Sequence, residues 1–243
     1  ANAVAAVMAN AVSTGSGTVS LAQLQALGIT GVTADNLAAI QAAVAATNND
    51  GTDVDSQSKL QGLVNTLNAA VTAISAYAQA NTQSAPTVPT GTAPTEQNYV
   101  DAGVTGFVSA NLNAINDALA SANVTGLSVD TLAEIQTLVD AYNAIIASAD
   151  GTDNNGTAPT AAQYAAIGVT GVDSAAELSL LADVIDLKGN GDVDTVAKVQ
   201  TLADAVQAVM NTAAGLTPAA TEAQLNLLGV TGVTAGNLPR VLA

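Results

Sequence analysis

Residues 160–172 read Thr-Ala-Ala-Gln-Tyr-Ala-Ala-Ile-Gly-Val-Thr-Gly-Val, and this stretch decides the fold. Thr160 followed three residues later by Gln163 is a capping box, in which hydroxyl and amide each satisfy a backbone N–H left over at a helix start. Gly168 then stands where a left-handed C-terminal cap belongs. A short helix between Thr160 and Gly168, followed by a tight connection, is the expected local structure.

The same pattern returns along the chain. The motif G-[IV]-T-G-[VF] begins at Gly28, Gly103, Gly168 and Gly229, with spacings of 75, 65 and 61 residues (103−28, 168−103, 229−168). Eight residues before each glycine stands Ser20, Thr95, Thr160 or Thr221, and three residues after those stands Gln23, Asn98, Gln163 or Gln224. A second start signal follows each motif at Thr33, Ser109, Ser174 or Thr234. From there Leu37, Ile40 and Val44, or Leu112, Ile115 and Leu119, mark one face of a helix. A third shared element, Val54-Asp55-Ser56, Val129-Asp130-Thr131 or Val193-Asp194-Thr195, opens a longer amphipathic stretch such as Leu60, Leu63, Val64, Leu67, Val71 and Ile74. Fixed internal periods of this kind signal a repeat protein.

The predicted fold is therefore all-α, a tandem array of three-helix repeats. Each has a short helix A, the G-[IV]-T-G-[VF] connection, a helix B and a long helix C. The expected divisions are 1–13, the end of a preceding helix C; repeats at 20–81, 95–149 and 160–214; and the start of a further repeat at 221–243. Linkers fall at 82–94, 150–159 and 215–220. Residues 1–8, ANAVAAVM, parallel ADAVQAVM at 203–210, and Pro239 falls in the first turn of a helix B, where proline is tolerated. The expectation is a piece of a longer array. A unit of about 60 residues has a marginal core, which favours stacking; proline-bearing linkers near Pro86, Pro89 and Pro94 would instead separate the units as beads.

Composition narrows function. The chain has 243 residues and is 49% hydrophobic but only 2% aromatic. Its 20 acidic residues face four cations, Lys59, Lys188, Lys198 and Arg240, for a net charge of −16. Four cations cannot build a phosphate-binding stripe, so nucleic acid is not an expected partner. The absence of His and Cys removes Ser-His-Asp triads, thiol nucleophiles and zinc sites built on those residues. No membrane span is predicted, because no run of 18 or more apolar residues is present. An enzyme is not expected.

The acidic loops are the candidate site. Asp50, Asp53 and Asp55 cluster in one, and Asp186, Asn190, Asp192 and Asp194 in another. Dense short oxygen ligands around glycine suit calcium. On an EF-hand template, however, Lys188 takes a ligand position and Ala197 replaces the bidentate Glu. The competing reading makes the same residues turn formers and helix caps. Tyr77, Tyr99, Tyr142 and Tyr164 sit on helical apolar stripes and are expected in cores.

The phrases APTAAQYAAIGVTGV (158–172) and GVTGVTAGNL (229–238) resemble repeats of very large secreted or surface-attached proteins of Gram-negative bacteria, among them adhesins and biofilm-matrix proteins. The resemblance implies an extracellular or cell-surface location and a spacer, stalk or fibre role, with calcium-dependent stiffening as an option and no catalytic residues. Self-association or contact between neighbouring repeats is expected from the marginal core of each unit. An adhesive module binding a cell-surface or matrix partner through a helical face is the alternative.

Overall fold

The computed structural model describes residues 2–12, 19–47, 51–81, 89–152 and 157–242. The chain is all-α: 64% of it is helical, with twelve α-helices and no strand among the described residues. It divides into two compact units. The first holds Ala1–Ala80, Thr90–Phe107 and Thr125–Gln136; the second holds Asn81–Pro89, Val108–Val124 and Thr137–Ala243.

The first unit contains α1 (Asn2–Val12), α2 (Leu21–Ala26), α3 (Leu37–Ala45), α4 (Gln57–Asn81, but for its last residue) and α5 (Glu96–Ala102). Its core is built by Val7 and Ala11 of α1, Leu24 of α2, Ile40 and Val44 of α3, and Leu60, Val64 and Leu67 of α4. These are positions three or four apart, so each helix turns one stripe inward. Tyr99 lies fully buried and stacks on Phe107, with ring centroids 4.8 Å apart.

The second unit contains α6 (Leu112–Leu119), α9 (Ala175–Asp186), α10 (Val196–Ala213), α11 (Glu222–Leu227) and α12 (Leu238–Val241), with α8 (Ala161–Ala166) and most of α7 (Leu132–Ser148). Helix α10 packs against both α9 and α11. Val199, Leu202, Ala203 and Val206 are its buried stripe. Tyr142 and Tyr164 are fully enclosed, and Tyr77 of α4 is buried in the first unit, as their apolar positions predict.

The second helices start later than expected. After Thr33 the chain makes a turn, and α3 begins only at Leu37, because Thr33 and Asn36 close on each other: the Thr33 N–H donates to Asn36 Oδ1 at 2.7 Å and the Asn36 N–H to Thr33 Oγ1 at 3.3 Å. Ser109–Asn111 forms a 3-10 turn ahead of α6. Ser174 does cap directly, with Glu177 completing the box. Among the described residues no helix is long and apolar enough to cross a membrane.

Candidate functional site

The four G-[IV]-T-G-[VF] loops share one geometry. Ser20, Thr95, Thr160 and Thr221 each form a reciprocal capping box, and the pair Thr95–Asn98 closes like the three glutamine pairs although its amide is one methylene shorter. At the other end of each short helix, two backbone bonds complete a Schellman turn. In the first, Gly28 N–H donates to Gln25 at 2.9 Å and Ile29 N–H to Leu24 at 3.1 Å; the same pairs recur at Gly103–Val104, Gly168–Val169 and Gly229–Val230. The first glycine of each loop has φ between 75° and 90°, a conformation that costs an L-residue about 1–2 kcal/mol.

A glutamine on a following helix then grips the loop threonine. The Thr30 N–H donates to Gln61 Oε1 at 2.8 Å, and Gln61 Nε2 donates back to the Thr30 carbonyl at 3.0 Å. Gln136 holds Thr105 at 2.8 and 2.9 Å, and Gln200 holds Thr170 at 2.9 and 3.0 Å. One planar amide thus satisfies both backbone groups of a threonine that directly precedes a glycine. Seven residues on, two helical turns along the same face, stands a second amide. Asn68 Nδ2 donates to the Gly31 carbonyl at 2.8 Å and its Oδ1 accepts from Asn36 at 3.0 Å, while Asn143 accepts from Asn111 at 2.8 Å and Gln207 lies beside Gly171. Sequence reasoning missed this clasp. The signal was present as a polar pair, Gln61/Asn68, Gln136/Asn143 and Gln200/Gln207, set 33, 33 and 32 residues after the first glycine (61−28, 136−103, 200−168).

The candidate calcium ligands are placed as follows. Asp50 lies outside the described residues. Asp53 is exposed in the 3-10 turn Thr52–Val54. Asp55 pairs with Lys59 at 2.9 Å, and the same ammonium donates to the Thr52 carbonyl at 2.7 Å. Asp194 pairs with Lys198 at 2.6 Å, whose ammonium also reaches the Gly191 carbonyl at 2.7 Å. Asp192 accepts from the Gly189 N–H at 3.1 Å and closes the turn Asn190–Asp192. Asp186 ends α9, buried, and its carbonyl accepts from the Gly151 N–H at 3.2 Å. Asn190, oriented to satisfy its neighbours, donates to the carbonyls of Ala149 at 2.7 Å and Ile146 at 3.1 Å. Lys188 donates to the Leu227 carbonyl at 2.7 Å, where a cation complements the end of α11. The structure therefore gives two loops a lysine ammonium bridging a carboxylate and a backbone carbonyl. In the middle loop Glu134 instead caps α7 through Thr131, and hydrogen bonding with its carboxylate raises the pKa of neighbouring Asp130 above the ordinary value. Among the described residues no group of three or more acidic side chains converges to hold a metal ion.

Two of the concave surfaces among the described residues are lined by polar loop side chains. In the first unit a cavity of about 340 Å³ is lined by Thr33, Asn36, Asn68, Asp130 and Thr131 among others. In the second unit a cleft of about 530 Å³ is lined by Asn111, Asp117, Asn190, Asp194 and Thr195 among others. At its wall Asp117 Oδ2 accepts from the Val196 N–H at 2.7 Å; in the core of the same unit Tyr142 donates its hydroxyl to the Val193 carbonyl at 3.1 Å. Burial raises the Asp117 carboxyl, the Val196 N–H lowers it, and the Asp194 charge raises it further. Burial also pushes the phenols of Tyr99, Tyr142 and Tyr164 up. The side chains that define these surfaces are largely committed to caps, turns and clasps. Comparison with protein-family models, curated proteins and solved structures finds no match to this chain.

Proposed function

We propose that this chain is a structural module: a tandem array of three-helix repeats that serves as spacer, stalk or fibre segment of a bacterial cell-surface or extracellular protein, and that it performs no catalysis. The observation that carries this reading is the clasp. The same amide grips the same loop threonine at Thr30, Thr105 and Thr170, with nearly equal bond lengths. Polar groups that a catalytic or ligand site would leave available are here used to fix one helix on one loop.

Charge and composition agree with this role. A surface of net charge −16 favours solubility and resists non-specific association. The repeats are taken as 20–81, 95–149 and 160–214, with the unit boundary passing through the middle one. Two polypeptide-level arrangements, stacked rod and separated beads, lead to different scattering. Small-angle scattering on a protein carrying several further copies tests the proposal: a radius of gyration growing nearly linearly with copy number supports it, and a compact globular particle overturns it. Cell-surface labelling of the full-length protein tests the location.

A further inference from the structure

Among the described residues, no glutamine clasps the fourth loop as Gln61, Gln136 and Gln200 clasp the other three. Its capping box, its Schellman turn and its Thr234–Asn237 closure are all formed, the last with Thr234 N–H to Asn237 Oδ1 at 2.7 Å and Asn237 Nδ2 to the Gly232 carbonyl at 2.8 Å. Thr231, however, has no glutamine on its N–H and carbonyl among the described residues. Ile29, Val104 and Val169 are 3%, 9% and 4% exposed, whereas Val230 at the same loop position is 43% exposed. Ile40 and Ile115, twelve residues after their glycines, are fully buried, whereas Val241 at that distance is 48% exposed. Two exposed apolar side chains, an ungripped threonine backbone and the amide of Asn237 thus stand at positions that are buried or clasped in earlier loops.

We infer that this face is a docking site for one more amphipathic helix of the α4, α7 and α10 kind. Its partner carries a glutamine to grip Thr231, an Asn or Gln seven residues later to meet Asn237, and an apolar stripe to cover Val230 and Val241. The argument rests on continuity with an interface the chain makes three times. Helix α4 fits best, because Thr234–Asn237 and Asn237–Gly232 repeat the bonds Thr33–Asn36 and Asn36–Gly31 of the first loop, where Asn36 donates to Asn68 of α4 at 3.0 Å. The inference deepens the modular reading by naming what one module presents to the next.

The test is an isotope-labelled NMR titration of the full chain with a synthetic peptide of residues 57–81. Shifts at the Thr231, Val230 and Val241 amides are expected, with binding about tenfold weaker for a peptide carrying Gln61→Ala and Asn68→Ala, the factor that roughly two lost hydrogen bonds produce. Equal affinity of the two peptides overturns the inference, as do shifts confined to other residues. A peptide that stays unfolded is covered by a second protein, in which residues 41–81 follow Val241. There the Thr231 amide must exchange as slowly as that of Thr170, and fast exchange overturns the inference. A compact multi-copy particle in scattering sinks the array reading even when the peptide binds; an unmoved Thr231 sinks only the docking site.

Discussion

The carboxylate of Asp117 accepts a hydrogen bond at 2.7 Å from the backbone N–H of Val196, 79 residues further along the chain. Val196 is the first residue of α10, so Asp117 of α6 serves as a helix-start acceptor supplied from another helix. Replacing Asp117 by Ala leaves that N–H without its partner and should cost about 1–2 kcal/mol in urea melts. Asn keeps an acceptor oxygen and removes a half-buried charge, so Asp117→Asn should be near neutral at pH 7.

The pH dependence of Asp117 follows from the direction of its shift. Its carboxyl is raised above the ordinary value of 3.8. The folded state therefore binds the proton more tightly than the unfolded state, and the Asp117 contribution to stability falls as pH rises from 3.8 through the folded value. Glu177 behaves oppositely. Its hydrogen bonds from the side chain and backbone of Ser174 lower it below 4.5, so its contribution is present above 4.5 and is lost as pH falls through the folded value. Denaturation across mildly acidic pH should show Asp117→Asn removing a decline on the alkaline side and Glu177→Gln removing a decline on the acid side.

Gln200→Ala should cost about 1–2 kcal/mol, since both bonds to Thr170 disappear while water reaches the exposed groups. Gln200→Glu is the sharper variant. The carboxylate still accepts from the Thr170 N–H but meets the Thr170 carbonyl with a second acceptor. Hydrogen exchange should show Thr170 amide protection lost in Ala and partly kept in Glu; unchanged protection in both would remove the clasp from the account.

Gly168 and Gly229 have φ of 90° and 87°, yet their surroundings differ. A Cβ on Gly168 would run into the side chain of Ser121, and one on Gly229 would meet nothing. Gly229→Ala should cost about 1 kcal/mol, from backbone strain alone. Gly168→Ala should cost about 2–4 kcal/mol, because a packed neighbour must also move. Chemical denaturation of the two variants checks the order.

Lys59 and Lys198 hold Asp55 and Asp194 by exposed i,i+4 pairs, and such pairs contribute about 0.3–0.5 kcal/mol each. A calcium ion entering these loops must displace an ammonium. The melting-temperature rise on adding millimolar calcium should therefore be larger in the Lys59→Gln, Lys198→Gln double variant than in the unaltered chain. An equal response would show that the loops take no cation where the lysines sit.

The sequence by itself determined that the chain is helical and where the short helices α2, α5, α8 and α11 start and stop. Capping boxes, positive-φ glycines and apolar stripes act within four or five residues, so Ser20, Gly28 and the Leu60–Val64–Leu67 face could be read without knowing what lay opposite. The burial of the four tyrosines was legible for the same reason. What only the tertiary structure decided are the pairings between residues about 30 or more positions apart. Gln61, Gln136 and Gln200 read as ordinary polar positions on a solvated face, because an amide's partner is set by the crossing of a helix over a loop and not by its neighbours in sequence. The acidic loops lie between the two cases. The lysine four residues after Asp55 and Asp194 is a local partner that the sequence displays, whereas Asp117 meets the Val196 N–H across 79 residues only because the folded backbone brings α6 to the start of α10.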